Sequence, residues 1–403
     1  MAGEWAEMPL GDVITLQRGF DLPSQNRKPG KVPIVSSSGI SDYHSEVGVK
    51  GPGVVTGRYG TIGQVFLIKE DYWPLNTTLW VKDFHGNDPH FASYLLRTVD
   101  FQSCSDKSSV PGVNRNDLHR IPVLLPPLAE QKAIAAVLGA LDDKIELNRR
   151  MNATLEAMAR ALFQSWFVDF DPVRAKLDGR PPAARDPATA AAALFPAAFQ
   201  DSPLGHIPTG WEVIPLYDTA QWVNGAAFKN EDFCAAGEGL PVIKIAELKD
   251  GIGTQTKWCQ RDAGADKIID TGDLVYSWSG SPDTSLEAFL WSGGRGLLNQ
   301  HIFKVISATV AEKRFVYYLL QYLRPVLVET ARNKQTTGLG HVTIADMKRL
   351  LVCMPSKAVL AAFDRNIAPI FDKAFTNTLE SRTLATLRDT LLPKLLSGEL
   401  SVS

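Results

Sequence analysis

Residues 128–171, LAEQKAIAAVLGALDDKIELNRRMNATLEAMARALFQSWFVDFD, lie between two similar parts of the chain. Ten of their positions follow one another in alternating steps of four and three: Ile134, Leu138, Leu141, Ile145, Asn148, Asn152, Leu155, Ala159, Leu162 and Trp166. A helix that only lines a globular core drifts off a 3.5-residue repeat by ~20° per heptad. The strict repeat therefore predicts a long helix that packs against a partner helix of similar length.

The partner helix is predicted in the same chain. The same seam recurs 229 residues later (363 − 134 = 229) at Phe363, Ile367, Ile370, Ala374, Asn377, Ser381, Leu384, Arg388, Leu391 and Leu395. Polar seam residues cost stability but fix register, and both helices carry them at matching positions. We predict an intramolecular coiled coil, most simply antiparallel. Two unrelated amphipathic helices, each lining its own core, remain the alternative.

The globular parts that precede each helix repeat one another. Residues 211–216 (WEVIPL) match residues 5–10 (WAEMPL) at an offset of 206, and Leu298 matches Leu75 at 223. Residues 346–349 match residues 117–120 at 229. The offset only grows, as expected when a duplicated domain acquires insertions in its loops.

The predicted fold is α+β, with two similar mixed α/β globular domains and an approximate twofold relation between the halves. The domains are residues 1–127 and 211–356, and the long helices are residues 128–171 and 357–403. Residues 172–210 are rich in proline and alanine, which predicts a semi-extended linker rather than a packed segment.

Composition limits the possible partners and sites. Lys and Arg total 42 against 44 for Asp and Glu, so binding to nucleic acid would need local basic patches. The four cysteines show no Cys-x-x-Cys spacing, which argues against a zinc site or a disulfide framework. Residues 1–10 lack signal-peptide features and no apolar run reaches ~20 residues, so we expect a cytoplasmic protein without a membrane partner.

A duplicated domain on a rigid spacer suits a partner with two separated features. The 33 residues from Ile134 to Trp166 would span ~50 Å as a helix, comparable with one to two turns of duplex DNA. A paired protein surface would fit the same spacing, so geometry alone leaves both partners open.

Several phrases resemble the specificity subunits of type I restriction-modification systems along essentially the full chain. They include PPLAEQKAIA (126–135), LDDKIELN (141–148), ALFQSWFVDFDPV (161–173), LFP (194–196), LGHIPTGWEV (204–213) and LPKLLSGEL (392–400). One departure stands in the second half, where SKAVL (356–360) replaces the Leu-x-Glu-Gln phrase of the first half.

The resemblance implies two target recognition domains that each read half of a split sequence in double-stranded DNA. It also implies that the long helices bind two methyltransferase subunits and that ATP- and Mg²⁺-dependent motor-nuclease subunits join the complex. S-adenosylmethionine, ATP and Mg²⁺ are expected on those partners, with no cofactor bound by this chain. The departure at residues 356–360 leaves the equivalence of the two methyltransferase-docking faces open.

The candidate DNA contacts are polar loop residues at matching places in both halves, since such side chains bind phosphates and base edges. In the first domain they are Arg58, Tyr59, Thr61, Asn76, Thr77, Thr78, Lys107, Ser108, Ser109, Asn114 and Arg115. In the second domain they are Ser277, Trp278, Ser279, Asn299, Gln300, His301, Lys334, Gln335, Thr336, Thr337 and His341. Ordinary turn formation explains many of them equally well.

No catalytic residue and no metal site is predicted. The glycine-rich residues 51–63 lack the Gly-Lys-Ser/Thr ending of a phosphate-binding loop and are typical of a hairpin. Asp232, Glu247 and Lys249 imitate a metal-dependent nuclease motif, and His85 and His90 are more typical of turns than of metal ligands. The alternatives to a DNA-recognition scaffold are an enzyme that modifies DNA alone and a coiled-coil adaptor that has lost DNA binding.

Overall fold

The computed structural model describes residues 5–104, 112–179, 191–335 and 338–402. The chain forms two compact units, Met1–Leu147 with Glu380–Ser403, and Asn148–Leu379. Each unit has its own hydrophobic core, one built around Leu95 and Leu138 and the other around Phe315 and Phe363. Both units therefore combine a globular domain with segments of both long helices.

The globular domain of the first unit is built on a four-stranded antiparallel sheet in the order Thr15–Arg18, Thr78–Asp83, Gly53–Gly57, Val65–Ile68. Its other strands are Ala6–Pro9, Val32–Ser36, Gly39–His44, Trp73–Pro74 and Pro122–Leu125, and its helices are Leu10–Val13, Pro89–Thr98 and Arg115–Leu118. The helix Pro89–Thr98 begins where the Asp88 carboxylate accepts the Phe91 amide, and it buries Phe91 and Leu95 in the core.

The globular domain of the second unit repeats that sheet in the order Gln221–Asn224, Ile302–Ile306, Leu274–Ser277, Glu287–Leu290. Its other strands are Phe199–Ser202, Gly205–Pro208, Glu212–Pro215, Phe233–Cys234, Leu240–Ile243, Trp258–Cys259, Ile268–Ile269, Ser279–Gly280, Gly296–Leu298, Gly340–His341 and Leu351–Met354. Its helices are Asp171–Leu177, Ile245–Asp250, Pro282–Ser285, Val310–Arg332 and Ile344–Arg349.

In both domains a strand near the start also pairs with a strand near the end. Ala6–Pro9 pairs with Pro122–Leu125, and Glu212–Pro215 pairs with Leu351–Met354, both antiparallel. Each pair brings a strand near the start of a domain back to the strand that leads into a long helix. The matching order of the two four-stranded sheets and the matching closing strands confirm the predicted duplication.

The long helices run from Leu128 to Phe167 and from Lys357 to Leu396. None of the twenty seam positions is exposed. In the first unit Arg388 donates to Asp142 at 2.7 Å, and Lys144 forms an ion pair with Glu380 at 3.1 Å. Residue numbers rise in one helix as they fall in the other, so the helices are antiparallel, as predicted.

In the second unit the same helices meet through polar and aromatic residues. The Asn377 amide donates to Asn152 Oδ1 at 2.9 Å, and the Asn148 amide lies 3.4 Å from the Asn377 carbonyl oxygen. Further along, the rings of Phe163 and Phe363 are 6.1 Å apart. The polar seam residues therefore bond to one another, and the antiparallel direction continues in this unit.

The expectation that residues 172–210 do not pack is wrong for their described part. Phe195 and Ile207 are buried in the core of the second unit with Trp211, and the Phe195 and Trp166 rings meet edge-on at 5.1 Å. Phe199–Ser202 and Gly205–Pro208 form a hairpin. Aromatic side chains anchor this proline- and alanine-rich stretch because burying each ring removes a large apolar area from water.

Candidate nucleic-acid interface

Three loop segments of the first domain lie side by side. The Arg58 and Tyr59 amides both donate to the Thr77 carbonyl oxygen, at 2.8 and 3.2 Å, and the Val113 amide donates to the Arg58 carbonyl oxygen at 3.0 Å. Gly60 has φ +79°, a conformation that glycine adopts without strain, and it lies in the turn between the strands Gly53–Gly57 and Val65–Ile68. The structure thus brings the candidates near residues 58, 76 and 114 together.

The second domain makes the same backbone bonds. The Trp278 amide donates to the His301 carbonyl oxygen at 3.2 Å, and the Val342 amide donates to the Trp278 carbonyl oxygen at 2.9 Å. Ser279 pairs with His341 across a short two-stranded sheet. Both domains therefore present one surface made from the same three segments, which we call the three-loop surface.

The strand pairing aligns one pair of segments in the two domains with a shift of a single residue from the sequence match. Phe20 bridges to Leu75 in the first domain, and Ala226 bridges to Asn299 in the second, an offset of 299 − 75 = 224. Asn76 and Thr77 therefore correspond to Gln300 and His301, whereas the sequence match placed Asn299 against Asn76. That match followed residue identity, but equivalence in a sheet is set by the hydrogen-bond partners across it.

A basic pocket of ≈ 360 Å³ lies on the three-loop surface of the first domain. It is lined by Arg18, Arg58 and Arg115, by Tyr59 and Asn114, and by the buried residues Leu79 and Val113. The Arg58 guanidinium lies over the Tyr59 ring, 4.5 Å from its centroid. Arg18 was not among the sequence candidates. A sequence signal for Arg18 was the glycine that follows it, because Gly225 likewise follows the matching strand Gln221–Asn224.

The corresponding surface of the second domain is built differently. The Trp278 indole N–H donates to Asn224 Oδ1 at 3.1 Å, and the Trp278 ring lies 5.7 Å from the His301 ring. Lys334 is held by the buried Asp346 carboxylate, with its ammonium 2.5 Å from the oxygens. Burial opposes ionisation of Asp346, but bonds from Lys334 hold its pKa well below the usual range. Lys334 therefore has a structural role in the second domain.

Several other sequence candidates have structural roles or lie outside the described residues. Thr78 and Ser277 are fully buried, and the Thr78 hydroxyl donates to the Leu75 carbonyl oxygen at 2.7 Å, so their assignment as DNA contacts is corrected. The Gln335 amide donates to the Gly338 carbonyl oxygen. The candidates that fall outside the described residues are Lys107, Ser108, Ser109, Thr336 and Thr337. Thr61 is partly exposed in the same loop as Arg58.

His119 contacts the strand Thr15–Arg18. Its Nε2 accepts the Leu16 amide at 2.9 Å, which fixes the strand that ends at Arg18. Burial, together with the nearby charges of Arg115 and His85, lowers the pKa of His119. A neutral imidazole is required here because only an unprotonated Nε2 accepts a hydrogen bond.

The nuclease-like residues do not form a constellation. Glu247 is buried and accepts the Lys244 amide at 3.0 Å, which caps a short helix. Asp232 faces Arg261 at 3.4 Å, and the Lys249 ammonium donates to the Thr284 carbonyl oxygen. Within the described ranges, no group of three or more His, Cys, Asp or Glu residues could hold a metal ion. No described helix is long and apolar enough to cross a membrane.

This chain carries two such domains, and each is combined with segments of the paired long helices. The model of the type I restriction modification DNA specificity domain matches residues 2–157 and again residues 208–388. The chain therefore belongs to the type I restriction-modification specificity subunits.

Relatives agree with this assignment, and a solved structure shares the fold. The HindI specificity subunit of Haemophilus influenzae is 26% identical, with 98% of this chain and 100% of that protein covered. The MjaIX specificity subunit of Methanocaldococcus jannaschii is 24% identical over 91% of this chain and 82% of that protein. The fold is similar to that of the M. genitalium S subunit, with a TM-score of 0.60, 15% identity, and 98% and 96% of the two chains covered.

Proposed function

We propose that this chain reads a split target in double-stranded DNA and carries the subunits that methylate adenine and cleave DNA. The observation that supports this most directly is the three-loop surface, which occurs once in each of two domains whose four-stranded sheets have the same strand order. Each surface would contact one half-site. Tyr59, Asn76 and Arg115 would act in the first domain, and Trp278, Gln300 and His301 in the second, because asparagine and glutamine pair with adenine edges.

The base pairs between the half-sites would go unread because the paired helices set their separation. Adding seven residues to a helix lengthens it by ~10.5 Å, about the rise of three base pairs of duplex DNA. One heptad inserted at matching levels of both seams should preserve the two half-sites and widen the unread gap by about three base pairs. An unchanged gap would refute the role of the helices as a spacer.

The chemistry would reside on partner subunits. Two methyltransferase subunits would supply S-adenosylmethionine chemistry, motor-nuclease subunits would use ATP and Mg²⁺, and this chain would contribute no catalytic residue. In the Leu-Ala-Glu-Gln phrase, Glu130 accepts the Trp5 indole N–H at 3.1 Å and the Gln131 amide donates to Asn87 at 2.8 Å. The second half has buried Val359 and Leu360 at these positions, so its departure replaces internal polar contacts with apolar packing.

Mapping methylated adenines in the host genome, with and without this gene, tests the proposal. We expect methylation of one bipartite sequence to disappear with the gene and to return when it is restored. Unchanged methylation, with the partner genes intact, would refute the recognition role.

Two biochemical experiments separate the alternatives. The isolated chain should not methylate or cleave DNA in the presence of Mg²⁺ and S-adenosylmethionine, whereas turnover would indicate an enzyme acting alone. Together with its methyltransferase subunits the chain should bind duplex DNA, whereas assembly without DNA binding would indicate an adaptor.

A further inference from the structure

The pocket lined by Arg18, Arg58 and Arg115, here called the arginine pocket, carries positive charge that the fold neutralises only in part. Arg18 faces Asp21 at 3.5 Å, and both side chains are more than half exposed. Neither Arg58 nor Arg115 forms an ion pair with any residue that the structure describes. Three guanidinium groups with one exposed carboxylate beside them leave the pocket of ≈ 360 Å³ with a net positive charge, which favours the entry of an anion.

The arginine pocket is also held in place by its surroundings. The backbone at Arg58 is fixed on both sides by bonds to Thr77 and Val113, and Arg18 ends a strand of the central sheet. Guanidinium groups present paired N–H donors that match the oxygens of a phosphate. A fixed backbone reduces the entropy lost on binding, so these residues suit a phosphate group better than mobile surface arginines would.

The second domain does not repeat the arginine pocket. Strand pairing and the three-loop bonds place Asn224, Trp278 and Ile344 at the positions of Arg18, Arg58 and Arg115. None of the three is charged. The duplicated domains therefore share a surface but differ by three positive charges, which is a difference in ligand chemistry and not in fold.

We propose that the arginine pocket is a phosphate-binding site that only the first domain possesses. Building on the proposed function, its ligand is a phosphodiester of the DNA backbone beside the first half-site, which the arginines hold without reading a base. A free phosphate ion has the same chemistry, and the experiment below distinguishes the two sources.

The test measures duplex binding by the complex with its methyltransferase subunits, between low and moderate NaCl concentrations. Arg18→Gln, Arg58→Gln and Arg115→Gln should each weaken binding about tenfold and reduce the slope of log K against log salt by about 1. The factor should be equal on the target duplex and on an unrelated duplex. Lys82→Gln, which removes an exposed charge further along a central strand, is the matched control and should change neither.

The possible outcomes are distinct. Loss confined to the target duplex would show that the arginines read a base, and variants that behave like Lys82→Gln would show no phosphate contact; either result overturns the proposal. Calorimetry with inorganic phosphate at constant ionic strength shows whether the pocket takes free phosphate, with the arginine variants losing that heat. A wild-type complex that binds no duplex would overturn the proposed function as well. Unchanged thermal unfolding of each variant excludes misfolding as the cause.

Discussion

Asp142 of the first long helix accepts hydrogen bonds from three side chains in the first unit. Tyr94 and Arg97 of the helix Pro89–Thr98 donate at 2.8 and 3.1 Å, and Arg388 of the second long helix donates at 2.7 Å. Burial alone would raise the pKa of Asp142, but the bonds from Arg388 and Tyr94 and the charge of Arg97 lower it. One carboxylate thus joins the domain to both long helices.

Asp142→Asn removes the charge while keeping the shape of the side chain. A hydrogen bond to a charged group contributes ~1.5–3 kcal/mol, and two of the three donors here are cations. The Asp142 side chain is 27% exposed, so water would replace part of the lost interaction. We therefore expect the free energy of local opening of the helix Pro89–Thr98 to fall by ~2 kcal/mol, which is about a 30-fold change in the opening equilibrium.

Hydrogen exchange of the backbone amides in Pro89–Thr98, measured on the full chain, reports that opening. We expect exchange about 30-fold faster in Asp142→Asn. The neighbouring Asp143→Asn is the matched control, because Asp143 is 69% exposed and its ion pair with Lys69 is a surface contact worth ~0–1 kcal/mol. Equal exchange in the two variants would refute the reasoning, as would equally faster exchange in the helix Val310–Arg332 of the second unit.

Three further predictions concern single contacts. Lys334→Met should destabilise the second unit by ~1–3 kcal/mol in denaturant unfolding, because it leaves Asp346 with fewer partners for its buried charge. Asn377→Ala should cost the second unit a similar ~1–3 kcal/mol, because a buried seam bond is lost. His119 binds the Leu16 amide only when neutral and its pKa is lowered, so its contribution is complete above the unfolded value of about 6.5 and is lost as pH falls through the lower folded pKa. His119→Gln should flatten that pH dependence of the first unit.

Matched variants control these predictions. Arg349→Met removes the more exposed cation beside Asp346 and should cost less than Lys334→Met. Thr376→Ala changes an exposed neighbour of Asn377 and should cost ~0.5 kcal/mol or less. If either control cost as much as its partner, burial of the contact would not be the cause. If His119→Gln kept the pH dependence of the wild type, another group would be responsible.

The elements that follow a regular period were predictable from sequence. The four-three spacing of residues such as Leu138 and Phe363 depends only on helix geometry, so it predicts both the buried faces and the partner. The rising offset between the halves identified the duplication, because the elements tolerate fewer insertions than the loops. Both predictions rest on patterns in the local sequence, and the tertiary structure agrees with them.

The remaining features depend on contacts between distant residues. Leu298 and Leu75 share a residue type, but cross-strand bonding aligns Asn299 with Leu75, and no sequence period contains that information. Phe195 packs because Trp166 of the long helix meets it, although its own surroundings are typical of a linker. Arg18 joins the pocket only because its strand ends beside Arg58 and Arg115.

The first unit combines residues from both ends of the chain, and this affects the order in which the units can fold during translation. Its core includes Leu395 and Leu396, yet residues 148–379, which form the second unit, are synthesised before them. At 5–20 residues per second, those 232 residues need roughly 10 to 50 seconds of translation. During that interval the first globular domain lacks the C-terminal residues that complete its core, and at the end of the interval the second unit has all its residues. The later-made unit can therefore fold first, and ribosome-bound chains should depend on chaperones at the earlier one.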